Sequence, residues 1–104
     1  MAEAIRAEAP GTAWIVATGA LTNVGALFRK YPELISHVKG VSLMGGSIGE
    51  GFSDAPLGEV DGHPRIGNYT PWAEFNILVD PEAADVVSRS GLPITMAGLD
   101  VTEK

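Results

Sequence analysis

The chain of 104 residues contains no cysteine. Disulfide staples and thiolate metal sites are therefore excluded, and a reducing compartment is permitted. Basic charge is scarce. Seven Lys and Arg stand against thirteen Asp and Glu, for a net charge of −6. With so few cations the chain lacks the footprint of a nucleic-acid binder or of a protein held on anionic lipid, so neither partner is expected. No apolar run approaches the length of a membrane span, and the N-terminal stretch Met1–Ala9 has no apolar core of a secretory leader. A soluble, cytoplasmic protein is expected. What is present is ordinary globular material: 45% apolar and 19% charged residues, enough for one small domain with a thin core.

Short apolar runs alternate with helical periods. Ala2–Ala9 is alanine-rich and helix-favouring, and Pro10-Gly11 ends it. Ala13–Ala17 is branched and aromatic between glycines, the pattern of a buried strand. Leu21, Val24, Leu27 and Phe28 share a helical face, with Arg29 and Lys30 at the end where cations suit the helix dipole. Pro32 opens a second short helix. Val41–Met44 reads as a second strand and Pro93–Ala97 as a third. Between the last two, Asp80 caps a helix whose first residue is Pro81, and Gly91 stops it. Asp100–Lys104 begins another helix. Ser47–Gly67 holds five Gly and two Pro and no sustained period; it reads as a long mobile loop at a pocket mouth. The alternation predicts an α/β, Rossmann-like, three-layer arrangement, with a mostly parallel sheet flanked by helices.

In such sheets sites form beyond the carboxyl ends of strands. Three segments qualify: Thr18–Asn23, Gly45–Asn76 and Gly98–Thr102. Gly45, Gly46, Gly49 and Gly51 follow a strand, but a phosphate cradle needs a helix directly after its glycines, and a Pro/Gly-rich loop follows instead. In Gly67–Asn76, the polar Asn68, Glu74 and Asn76 stand among Tyr69, Trp72 and Phe75. A carboxylate between two amides can hold vicinal hydroxyls, and the rings offer a face for a sugar or base; a surface turn with solvated amides fits the same residues. His63 is a candidate proton donor or a solvated loop residue. His37 reads as a boundary residue. Asp54, Glu59 and Asp61 fit no EF-hand spacing.

Taken in order, Ala17-Thr-Gly-Ala-Leu-Thr-Asn23, Leu43-Met-Gly-Gly46, Gly67-Asn68, Ala73-Glu-Phe-Asn76, Asp80-Pro-Glu-Ala-Ala84 and Thr95-Met-Ala-Gly-Leu-Asp-Val-Thr102 resemble the inosine/uridine-preferring nucleoside hydrolases. The resemblance covers nearly the whole chain. It implies cleavage of the N-glycosidic bond of purine or pyrimidine ribonucleosides, a salvage reaction, by calcium-activated water. It further implies that the Thr18 carbonyl is a calcium ligand, that Asn68, Glu74 and Asn76 hold the ribose hydroxyls, and that Met44 lines the pocket. The family's N-terminal aspartate cluster has no counterpart here, nor do its C-terminal aspartate and histidine. Residues 1–104 are therefore expected to be a central fragment of a nucleoside hydrolase domain, inactive alone, with catalytic residues outside the chain and a homo-oligomer as the full-length form. The usual proline of the first motif is Ala20, and Phe52–Ile66 reads as an insertion. The alternatives are a non-catalytic α/β ribose- or nucleoside-binding module and a degenerate remnant.

Overall fold

A computed structural model describes residues 1–48, 59–60, 63–64 and 73–102. The elements in chain order are α1 (Ala2–Ala7), β1 (Ala13–Ala17), α2 (Thr22–Lys30), a 3-10 helix (Pro32–His37) and β2 (Val38–Met44). There follow β3 (Glu59–Val60), β4 (His63–Pro64), α3 (Phe75–Val79), α4 (Pro81–Ser88), β5 (Ile94–Ala97) and α5 (Leu99–Thr102). Strands β1, β2 and β5 form a parallel sheet in the order β1-β2-β5. The three expected strands are all present. β2 starts three residues earlier than its apolar run, and α3 is an element that the sequence pattern did not announce. Two-residue strands β3 and β4 pair antiparallel within the segment expected to be loop; apart from Ser47 and Ile48 the rest of that segment, with its expected mobility, lies outside the described residues.

Alternation along the strands sorts the two faces of the sheet. Ile15, Val41 and Leu43 enter one core with Val24, Leu27 and Phe28 of α2, Leu34 of the 3-10 helix, and Ala83, Ala84 and Val87 of α4. On the other face Trp14 and Val16 remain 44% and 70% exposed. Of the three expected layers the described residues therefore supply two. The β1–β2 register shifts between Ala13 and Trp14, at the point where the Trp14 ring lies over Gly40. A Cβ on Gly40 would meet that ring at 2.6 Å and the Pro93 carbonyl oxygen at 2.9 Å. Strand β2 runs through this non-apolar stretch because glycine lets the indole sit on the backbone.

α1 is held by polar contacts as well as by Ile5. Arg6 bonds Glu33 at 2.8 Å and lies over the Tyr31 ring at 4.7 Å. The His37 ring pairs with the Glu8 carbonyl at 2.8 Å, which makes this histidine the boundary residue expected. No helix among the described residues is long and apolar enough to cross a membrane.

Helices α3 and α4 meet at Asp80. Proline keeps the residue before it out of the helical region, and Asp80 is accordingly non-helical at φ −146°, ψ 77°. Its carboxylate accepts from the Ala83 N–H at 3.0 Å and from the Thr22 side chain, which ties α2 to the start of α4. The Thr22 bond first, and then the Ala83 N–H, hold its pKa below the ordinary 3.8. A depressed carboxylate pKa gives stability that is complete above the unfolded value and is lost as pH falls through the folded one. Asp80→Asn is therefore expected to flatten the fall in stability below pH 3.8. Urea unfolding midpoints of both proteins at neutral pH and at about pH 3 measure it; parallel acid losses would refute it.

Candidate active site

Glu74 closes the site. It is an extended residue (φ −76°, ψ 145°) at the N-cap of α3, and its side chain caps that helix. Glu74 Oε1 accepts from the Asn76 N–H at 2.9 Å, and Oε2 from the Ile77 N–H at 3.1 Å. A third donor arrives from just beyond β2: the Gly46 N–H reaches Oε2 at 3.0 Å. The residue is only 4% exposed. A buried carboxylate is tolerated when donors surround it, and three main-chain amides do so here. An ionised carboxylate has about four acceptor positions, and the described residues fill three of them.

Asn76 fastens the same corner from the other side. Its Nδ2 donates to the Met44 carbonyl at 3.0 Å and lies 3.1 Å from Met44 Sδ. Its Oδ1 accepts nothing among the described residues. Gly45 is small for a reason, since a Cβ there would meet Ile77 Cδ1 at 3.2 Å and Glu74 Oε2 at 3.3 Å. Gly46 has φ +75°, a left-handed conformation open to glycine. That turn lets its N–H face Glu74 while its carbonyl accepts from Leu99 N–H at 3.0 Å. Gly45 N–H meanwhile bonds the Ala97 carbonyl at 3.1 Å.

Met44, Glu74 and Asn76 thus come together at the carboxyl end of β2. Thr18 is exposed in the turn just beyond β1, at the same end of the sheet but one strand away. Asn68 lies outside the described residues, as do Tyr69 and Trp72, and so do Asp54, Asp61 and the side chains of Glu59 and His63. Two parts of the corner were not nominated from sequence. One is the Gly46 amide, for which the Gly-Gly pair after a strand was the available signal. The other is Asp100, which sits in the Gly98–Thr102 segment and accepts from Ile48 N–H at 2.7 Å.

Two described grooves lie elsewhere. One, of about 530 Å³, runs between α2 and α4 along Thr22, Arg29, Asp80 and Glu82. The other, of about 370 Å³, lies between α1 and β1. Among the described residues no cluster of three His, Asp or Glu side chains could hold a metal ion. A single carbonyl at Thr18 falls far short of the six to eight oxygens that calcium takes; the described donors do not by themselves fit the ion.

The corner stands beyond the carboxyl ends of a parallel sheet, which is where the sites of open α/β sheets form. The model of the inosine-uridine preferring nucleoside hydrolases matches residues 1–104, and the chain belongs to that family. The pyrimidine-specific ribonucleoside hydrolase RihA of Citrobacter koseri is 46% identical over 104 residues, all of this chain and 28% of its own length. The same enzyme of Shewanella woodyi is 46% identical over 99 residues, 95% of this chain and 26% of its own. Among solved structures, the plant nucleoside hydrolase PpNRh1 superposes with a TM-score of 0.75 at 31% identity, over 97% of this chain and 27% of its own. The purine-preferring ribonucleoside hydrolase of Gardnerella vaginalis gives 0.71 at 36%, with the same coverage. The chain therefore spans little more than a quarter of the length of these relatives. The family is generally metal-dependent.

Proposed function

We propose that the protein carrying this chain hydrolyses ribonucleosides to ribose and free base, and that this chain supplies the wall that grips the sugar. The observation that supports the reading is the Met44–Glu74–Asn76 corner, in a chain that belongs to a nucleoside hydrolase family. The acceptor position of Glu74 and the Asn76 Oδ1 that no described residue fills suit two neighbouring hydroxyls, each donating a hydrogen bond. Met44 offers an apolar, adaptable contact beside them. Asn68 belongs to the same set by its motif. Holding both hydroxyls fixes the ring against the reacting centre, which lowers the entropic part of the barrier. Calcium is the proposed ion. These residues offer it the Thr18 carbonyl, and its other oxygens have to come from elsewhere in the protein, so no step of the reaction is assigned through it. The cysteine-free composition suits a cytoplasmic setting.

The reading also says that 104 residues are too few. A polypeptide of the relatives' length is expected to release ribose from inosine or uridine in a calcium-dependent way, and the 104-residue chain to give no rate above buffer. Ribose release by the short chain alone would contradict the second half. An inactive longer protein that still binds nucleoside would favour a binding module, a reading to which the structural use of both Glu74 oxygens lends itself.

A further inference from the structure

The segment after β5 has no role in the proposal above, although it packs directly on the site. Asp100 Oδ2 accepts from the Ile48 N–H at 2.7 Å, across 52 positions of sequence. One residue earlier, Leu99 N–H donates to the Gly46 carbonyl at 3.0 Å. Gly98 makes room for this approach: a Cβ there would meet Asp100 Oδ2 and the Gly46 carbonyl oxygen, both at 3.1 Å. The turn Gly46-Ser47-Ile48 is thus held at both ends. Its first amide points to Glu74 and its last to Asp100. A left-handed glycine turn with few tethers is free to rotate its peptides; with Glu74 on Gly46 N–H and Leu99 on the Gly46 carbonyl, the Asp100 bond is the third tether and the one that holds the far end.

We propose that Asp100 is a positioning residue for the Glu74 carboxylate, acting through the Gly46-Ser47-Ile48 turn. Asp100 accepts the Ile48 amide, the turn is locked, and Gly46 N–H occupies one acceptor position of Glu74 Oε2. The position left over then faces the sugar rather than the backbone. This inference rests on the reading of Glu74 as a ribose contact for its bearing on catalysis, but not for its structural part.

The test uses a polypeptide of the relatives' length, with Asp100→Ala and Asp100→Asn. Amide exchange is read by mass spectrometry or NMR at Gly45, Gly46 and Ile48, and steady-state kinetics are taken with uridine and inosine. Alanine removes the acceptor, whereas asparagine keeps an oxygen for Ile48 N–H. Asp100→Ala is expected to speed exchange at both Ile48 and Gly46 by about ten-fold or more while Gly45, bonded to Ala97, stays protected. KM should rise about five- to ten-fold with a smaller change in kcat, as for a lost substrate contact. Asp100→Asn should stay near the parent in both readouts. Unchanged protection at Gly46 in the alanine variant overturns the inference, whatever the kinetics. So does equal acceleration at Gly45, which would mean general melting, or an asparagine variant as impaired as alanine. If the parent turns over no nucleoside, the proposed function fails by itself, and Gly46 exchange still decides the positioning role.

Discussion

Replacing Glu74 by alanine is expected to lower stability by about 2–4 kcal/mol, because three half-buried amide donors lose their acceptor at once. The donors belong to separate parts of the fold: Gly46 follows β2, while Asn76 and Ile77 open α3. The loss therefore uncaps a helix and also releases it from the sheet. Water can recover part of the cost, but the residue is 4% exposed, so access is poor. Glutamine discriminates between burial and acceptor count. Its shape is the same, yet its NH2 group must face either Asn76 N–H or the Gly46 and Ile77 pair, donor against donor. Glu74→Gln should lose about half as much stability as alanine. On the proposed function both variants also lose the sugar contact, with kcat/KM falling about a hundred-fold or more, roughly 3 kcal/mol of transition-state binding. Denaturant titration and initial rates measure the two effects separately. An alanine variant within experimental error of the parent in stability would show that the three bonds are incidental.

Gly25→Leu should be more damaging to the fold than any surface change, at about 3 kcal/mol, the upper end for overpacking. Gly25 lies in α2 where α4 crosses it. A Cβ there would stand 2.8 Å from Ala83 Cβ and 2.9 Å from Ala83 Cα. The second of these atoms is backbone and cannot rotate away. Ala83 is itself fixed, since its N–H is bonded to Asp80 and its helix is anchored by fully buried Val87. Gly25→Ala sets two effects against each other. Alanine gains about 1 kcal/mol in helix propensity, and the clash costs about 1–3 kcal/mol; with backbone as the obstacle the clash should win by about 1 kcal/mol. Melting curves of the two variants test this. A leucine variant as stable as the parent would mean that the helices separate freely.

The elements that could be read from sequence are those whose signal is local. β1 stands between glycines as an uninterrupted branched run, and its observed bounds are the expected ones. The Asp80-Pro81 start of α4 is chemistry within three residues, and it is where it was read. The apolar pattern of β2 is interrupted at Lys39 and Gly40; Gly40 stays in the strand by pairing with Trp14, whose ring lies over it, a contact between strands. α3 is five residues long, too brief for a helical period to register. Its cap is a glutamate, a side chain outside the usual Ser, Thr, Asp and Asn set. β3 and β4, with two residues each, carry no period at all. For the site, residue types and post-strand placement nominated Glu74 and Asn76, the family resemblance added Met44, and these three meet. Their partners, the Gly46 amide and the Met44 carbonyl, are main-chain groups distant in sequence, which no side-chain pattern encodes.

The bond between Gly46 N–H and Glu74 has a consequence for how this protein can change. It joins residues 28 positions apart at 3.0 Å. The chain between them is in thermodynamic terms a closed ring, sealed at a point that belongs to the site. The entropy of closing such a ring grows only with the logarithm of its length, by about 0.6 kcal/mol for each doubling. Residues added or removed between Ile48 and Ala73 thus alter the ring's cost slightly and the seal's geometry hardly at all. The seal makes this stretch a place where chain length can change at little entropic cost to the carboxylate that closes the ring.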